Sequence, residues 1–279
     1  MKYYDLAMKL SNTFVSDLPG VKTVHSLISG GIEWKHQLTA GEKWLEYNGA
    51  DLYADTSDHV AGRIEMRGDY DTQTRKYIEN QLDVGDFAID IGAHIGHQMV
   101  NMRQSVGSNG AVWAFEPNPN NVGYINKTLS NNKWDNVEMF PIALSNTEES
   151  DQIIISDPKN TGKAALQDAN QLDMNPHEQY SIETRRLTSI LNERGIEEID
   201  LIKIDVEGGE VDIICDLARD LQSVGTILLE IHTNKINKTD VIEIYEILDN
   251  HGEITDFDGD IVTLEFLLDD KQHIIWHQN

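Results

Sequence analysis

The stretch DFAIDIGAHIGHQ, Asp86–Gln98, decides the fold. DFAIDI (86–91) is apolar almost throughout, as a strand buried on both faces must be, yet it carries a carboxylate, Asp90, near its end. Gly92 and Gly96 follow, and Ile95 is read as the start of a helix running to about Val106. Glycines ahead of a helix N-terminus let a ligand approach the main chain closely. The spacing is G-x-x-x-G, not the G-x-G-x-x-G of dinucleotide sites, and a neighbouring carboxylate disfavours phosphate. A ligand with an amino group and hydroxyls suits the loop better. A plain tight turn would use the same glycines.

The next strand, AVWAFE (111–116), ends in Glu116. An acid at the end of a second strand is placed to accept both hydroxyls of a ribose. Asp90, Gly92, Gly96 and Glu116 together favour a nucleoside held without a phosphate contact, and S-adenosylmethionine is such a ligand. Asn118 is read as a helix cap with Pro119 at the first position, and Val122, Ile125 and Leu129 as the inward face. VEMFPIAL (137–144) is a third strand. Residues 145–186 read as irregular, with one strand in QIIIS (152–156).

IDLIKID (199–205) is a fourth strand, followed by a helix face of Val211, Ile214, Cys215, Ala218 and Leu221. TILLEIH (226–232) is a fifth. Val241, Ile244, Tyr245 and Leu248 repeat at helical spacing, and Gly252 is expected to end that helix. ITDFD, IVTLEFLL and HIIWH (254–258, 261–268 and 273–277) close the chain as strands. Apolar strands alternating with helices predict a parallel, doubly wound α/β sheet covered on both faces. The strand-only ending predicts an antiparallel hairpin at its edge.

Residues 1–68 have another texture and are expected to form an accessory unit, with 69–279 as the main domain. A helix is predicted over Tyr3–Ser16, closed by Pro19-Gly20. VKTVHSLI, GIEWKHQL, EKWLEYNGADLYAD and HVAGRIEM read as a small antiparallel β unit, with Trp34 and Trp44 on its core face.

The net charge is −26, from 48 acidic and 22 basic residues. The acids are scattered, so this is a surface and not an acidic tail. It repels phosphate backbones and anionic membranes, which counts against nucleic acid as a partner. A high-salt source and simple solubility explain it equally well. The single cysteine, Cys215, excludes an internal disulfide and fits a reducing compartment. MKYYDLAMKLSNTF has no secretory h-region, and no run approaches the roughly 18 apolar residues of a span. A cytoplasmic location is expected, and a homo-oligomer is compatible with the sequence.

DFAIDIGAHIG, AVWAFEPNPNN, PIALSN and DLIKIDVEGGE, in that order, resemble the FkbM-type methyltransferases, a branch of the class I S-adenosylmethionine-dependent superfamily. The resemblance covers about residues 69–232. It implies a Rossmann-like seven-strand sheet with the cofactor across the tops of the first strands. By position it implies that Asp90, Gly92 and Gly96, with Ala93 and His94 between them, line the methionine part. It implies that Glu116 holds the ribose with Pro117 and Asn118 close behind, and that Ala143 and Leu144 sit near adenine. Residues 145–186 and the N-terminal unit would shape the acceptor site. The family usually shows Asn where this chain has His94, and Tyr or Phe is common at His97.

The densest cluster of chemistry is Lys203, Asp205, Glu207 and Glu210. Residues 203, 205 and 207 alternate along an extended chain and so share one side. Asp205, at the strand end, is expected to face the cofactor's methyl and amino groups, and Lys203 with an acid reads equally as a structural ion pair. Glu230 and His232 end the fifth strand next door. His232 titrates near neutrality and is a candidate base, or a satisfied histidine. His25, His36, His59, His177, His251, His273 and His277 show no ligand spacing. A divalent metal in the acidic cluster is conceivable but not expected. The expected activity is O-methylation of a sugar, glycan or other small polar acceptor. The rivals are ribose 2′-O-methylation of RNA, a non-catalytic binding or assembly subunit, and a nicotinamide oxidoreductase that the glycine spacing disfavours.

Overall fold

The computed structural model describes residues 39–155, 165–166, 178–268 and 272–278. The predicted helix over Tyr3–Ser16, the strands VKTVHSLI and GIEWKHQL, and Trp34 lie outside them. β1 (Glu42–Tyr47) and β2 (Ala50–Asp55) form an antiparallel hairpin. Its turn is Asn48-Gly49, both with positive φ (45° and 75°), the geometry that matches strand twist in a two-residue loop. Leu45, Tyr47 and Leu52 bury one face, while Trp44 is 45% exposed on the other. Trp44 therefore does not pack the core; alternation along β1 puts it opposite Leu45, edge-on to Tyr53.

HVAGRIEM is a helix, not a strand: α1 spans His59–Arg67. Asp58 accepts hydrogen bonds from the amides of Val60 and Ala61, and Gly68 ends the helix in the left-handed conformation. Val60 and Ile64 then fall one turn apart on the buried side. α2 (Thr72–Gln81) follows, inward at Thr74 and Ile78.

β3 (Phe87–Ile91), α3 (His97–Val106), β4 (Ala111–Phe115), α4 (Pro119–Asn132) and β5 (Val137–Phe140) continue the alternation. Helix α3 starts at His97 and not at Ile95, because Gly96 is its left-handed N-cap. Asn118 caps α4 with Pro119 at the first position, as expected. Of its three expected inward residues only Ile125 is buried; Asn121 and Thr128 complete the face. The third strand breaks at Pro141, which has no N–H for a ladder. β6 (Ala143–Leu144) leaves the main sheet and pairs with β9 (Glu178–Arg185). With β7 (Glu149–Ile155) and β8 (Ala165–Leu166) these make a second, four-stranded sheet in the order β6-β9-β7-β8. Among the described residues of 145–186, β7, β8 and β9 are three strands where irregular chain with one strand in QIIIS was expected.

After α5 (Leu187–Arg194) come β10 (Ile199–Ile204), α6 (Glu210–Leu217), β11 (Val224–Ile231), α7 (Lys238–Asp249), β12 (Gly252–Thr255), α8 (Leu264–Leu267) and β13 (Gln272–Gln278). Helix α6 turns Ile213, Ile214 and Leu217 inward and leaves Val211 and Cys215 half-buried; it closes before Ala218, and Leu221 belongs to a separate 3-10 turn. Gly252 opens β12 and does not end α7, which stops at the Asn250 cap. A β-carbon there would overlap the His277 carbonyl and the Trp276 ring. ITDFD keeps strand only to Thr255, and LEFL is helix α8, capped by Thr263.

The main sheet has the order β12-β13-β11-β10-β3-β4-β5. β11, β10, β3, β4 and β5 run parallel, and β13 runs antiparallel to both its neighbours. Alternate residues feed two cores. Ile89, Ile202, Ile204 and Leu229 face α5, α6 and α7. Ala88, Leu201, Leu228 and Ile275 join the hairpin, α1, α2 and α3 on the other face. The chain leaves β3 for β4 on one side and later returns to β10 on the other, so the order reverses between β3 and β10. A ligand crevice belongs outside the carboxyl ends of the strands at such a reversal.

Candidate active site

The loop after β3 is bent by three positive-φ residues: Gly92 (78°), His94 (54°) and Gly96 (86°). A histidine tolerates the left-handed region better than most side chains, as asparagine does. The amides of Gly92 and Ala93 both donate to the Phe115 carbonyl (3.0 Å each), which lashes the loop to the end of β4. His94 N donates to Glu116 Oε2 at 2.8 Å, and Asn118 N and Asn121 Nδ2 donate to Oε1 at 2.8 and 3.3 Å. Burial pushes the Glu116 carboxyl up, partly offset by His94 and these donors. The carboxylate is thereby aimed, and Oε2 retains accepting capacity for a hydroxyl. Behind the loop, His94 Nε2 is 3.4 Å from Asp58, the cap of α1.

Asp90 and Lys203 are register partners on β3 and β10. Asp90 is fully enclosed, and Lys203 Nζ stands 3.5 Å from its Oδ1 and 3.4 Å from Asp205 Oδ2. Burial raises the Asp90 carboxyl despite Lys203. Burial works against the Lys203 ammonium too, but Asp205, Asp90 and Glu230 outweigh it and hold it above its ordinary value. The ion-pair reading of Lys203 is thus realised, with two acids. Glu230 and His273 pair across β11 and β13, and His273 Nε2 lies 2.9 Å from Glu230 Oε2. By strand parity Asp90, Lys203, Glu230 and His273 share the face of Ala88, Leu201, Leu228 and Ile275.

Beyond β10 the chain does not stay extended. Glu207 has φ 60°, so it reaches the cluster through a turn and not by alternation from Asp205. Glu207 Oε2 is 2.6 Å from Lys235 Nζ and 3.3 Å from His232 Nε2. His232 is buried just past β11. Its Nδ1 lies 2.6 Å from Glu210 Oε1, and its Nε2 faces Glu230 Oε1 at 3.6 Å and Asp205 Oδ1 at 3.8 Å. Burial opposes the imidazolium, but Glu210, Asp205 and Glu207 prevail and raise the pKa of His232 above its ordinary value. The structure therefore gathers Lys203, Asp205, Glu207, Glu230 and His232 around one corner of the sheet edge.

Pro117 links Glu116 to the α4 cap. Ala143 and Leu144 lie buried where the second sheet begins. His97, first residue of α3, is edge-on to Tyr70 and Tyr47 (5.6 and 6.5 Å between ring centres), and burial, Lys203 and His94 lower its pKa well below the usual range. Three participants escaped the sequence reading as site residues: Asn121, His273 and the pairing role of Glu210. The acid spacing E-x-x-E at 207–210 was visible; its histidine partner was not.

S-adenosylmethionine needs hydrogen-bonding groups at these strand ends, and the chain offers them. Six buried side-chain atoms here make no hydrogen bond: both Asp90 oxygens, His97 Nδ1, Asn118 Nδ2, Glu210 Oε2 and His232 Nε2. Native interiors rarely leave such atoms unsatisfied, so their collection at one edge fits a polar ligand. Glu116 fits a ribose hydroxyl, and the loop of half-buried Gly92 and buried Gly96 fits a ligand at the strand ends.

A seven-strand sheet in this order, with a single reversed strand, is the Rossmann-like sheet of the class I methyltransferases. Residues 90–255 match the family described as the methyltransferase FkbM domain. That is more than half of the chain, and the chain belongs to that family. No curated protein matches the sequence. Similar solved structures include precorrin-6y C5,15-methyltransferase from Geobacter metallireducens, 16% identical with TM-score 0.41, covering 74% of this chain and 87% of that one. Another is fibrillarin from Aeropyrum pernix with natively bound S-adenosyl-L-methionine, 15% identical with TM-score 0.41, covering 86% and 83%. At 0.41 the similarity is too low to bear on function. No helix among the described residues is long and apolar enough to cross a membrane.

Proposed function

We propose that this methyltransferase moves a methyl group from S-adenosylmethionine to a hydroxyl of a sugar or other small polar acceptor. The observation that carries the reading is the proton-accepting corner of Asp205, Glu207, Glu230 and His232, one strand away from the β3 loop. S-adenosylmethionine, when bound, supplies an electrophilic methyl on a sulfonium. Glu116 would hold a ribose hydroxyl, and the Gly92–Gly96 backbone would border the methionine end. Asp90 pairs with Lys203, which also meets Asp205 and so helps to fix it. The acceptor oxygen forms its new bond to carbon as the carbon–sulfur bond breaks, and its proton leaves into the acidic corner. A hydroxyl needs that help, whereas a carboxylate acceptor hardly would. Holding donor and acceptor close and aligned supplies much of the remaining acceleration.

The test is transfer of labelled methyl from S-adenosylmethionine into separated cell fractions: glycans and sugar nucleotides, RNA, small metabolites and protein. Alkali-stable label in the sugar or small-metabolite fraction supports the reading. Alkali-labile label means an ester and overturns the hydroxyl acceptor, and label in RNA overturns the acceptor class.

A further inference from the structure

Resting on that methyltransferase reading, we propose that Asp205, Glu230 and His232 form a binding site for a first-row divalent cation, on which the acceptor hydroxyl docks. One ligand atom from each lies within 4.8 Å of the others. A cation at roughly 2.0–2.2 Å from nitrogen and oxygen ligands places those ligands about 3–4 Å apart. The measured separations, 3.8 Å from His232 Nε2 to Asp205 Oδ1 and 3.6 Å to Glu230 Oε1, fall in that span.

The second observation is independent of the acids. His232 is 2% exposed, and its Nε2 is buried, makes no hydrogen bond and points between the carboxylates. Its other nitrogen is committed. Glu210, fully buried, accepts from Nδ1 at 2.6 Å and is itself held by the Gly208 amide at 3.1 Å. A carboxylate on the far nitrogen of a histidine fixes the tautomer and turns the Nε2 lone pair outward, the usual support behind a metal-bound imidazole. Glu210 is thus a positioning residue.

The fixed cations nearby sit on other oxygens: Lys203 meets Asp90 and the Oδ2 of Asp205, His273 holds the Oε2 of Glu230, and Lys235 faces Glu207, so Asp205 Oδ1 and Glu230 Oε1 are the atoms turned toward His232. Two carboxylate oxygens and one imidazole suit manganese(II) or zinc better than calcium or magnesium, which favour oxygen throughout. Three protein ligands leave positions open for an acceptor hydroxyl, whose proton the cation makes easier to remove. The proton is released to solvent water. The balance is one O–H broken, one proton on water, one O–C formed and one C–S broken.

The test uses the full chain stripped with a chelator and dialysed. Manganese(II) is titrated in, with free ion read by electron paramagnetic resonance and zinc as competitor. S-adenosylhomocysteine binding is measured on the same samples with chelator present. The expected result is one sub-millimolar site per chain that zinc competes for. Glu230→Gln and Glu210→Gln should each weaken it by roughly 10–100-fold while S-adenosylhomocysteine still binds. No saturable site for either metal, with S-adenosylhomocysteine bound normally, overturns the cation site and leaves His232 as an unassisted base. Loss of S-adenosylhomocysteine binding in the unmodified chain would instead strike the methyltransferase reading, separately from the cation.

Discussion

Gly92 and Asp205 lie so close that a β-carbon on Gly92 would overlap the Asp205 carbonyl oxygen. Two strand-end loops, after β3 and after β10, are closed on each other here. Gly92→Ala must move backbone and also places alanine at φ 78°. The expected cost is about 2–4 kcal/mol, combining left-handed strain with overpacking. Denaturant unfolding checks it, and an unchanged midpoint would mean the two loops separate freely.

Lys203 sits between Asp90 and Asp205 with almost no solvent. Lys203→Met strands Asp90 as a buried charge and should cost about 3–5 kcal/mol. Adding Asp90→Asn should recover most of that loss, since an amide needs no counter-charge. A double-mutant cycle by chemical unfolding reads the coupling; additive losses would place Asp90 and Lys203 in separate roles.

Glu116 receives two main-chain amides and the Asn121 side chain. Glu116→Gln puts an amide NH2 against one of those donors. Affinity for S-adenosylhomocysteine should fall by about tenfold or more, with a smaller change in thermal midpoint. Calorimetric titration settles this, and undiminished affinity would remove Glu116 from the cofactor site.

His94 gives a pH dependence of defined sign. Burial disfavours its charge, but the bond to Asp58 and the carboxylates of Asp58, Glu116 and Asp205 outweigh it, so its folded pKa is raised. Its contribution is therefore complete below the unfolded value of about 6.5 and disappears as pH rises through the folded pKa. His94→Asn keeps a residue that accepts left-handed φ and removes the titration. The stability gap between the two proteins should be widest on the acid side and shrink at higher pH. A gap flat across that range would show that His94 is never charged in the folded protein.

The strand–helix alternation was legible because buried parallel strands are mostly apolar, as FAIDI and IDLIKI are apart from Asp90, Asp200 and Lys203. Glu116 and the bend after β3 were legible because they follow strands whose ends the sequence marks. HVAGRIEM misled because Val60, Ile64 and Met66 suit a strand as well as a helix, and the deciding sign was the Asp58 cap. The second sheet escaped because ESDQIII and EQYSIETR mix polar and apolar residues without a clean period. The Glu210–His232 pair joins a helix start to the end of another strand. Nothing local in either segment announces a meeting that only the sheet order brings about.

The place of β13 has a consequence for biosynthesis. It lies between β11 and β12, both made before it. Until residues 272–278 emerge, β11 presents an unpaired edge and Trp276, fully enclosed in the finished fold with its indole N–H on the Leu248 carbonyl, has no place to go. An exposed edge invites pairing with other chains. A ribosome-stalled nascent chain halted before β13 should therefore be more prone to aggregation and proteolysis than one carrying it, and the sheet locks only when its last described strand arrives.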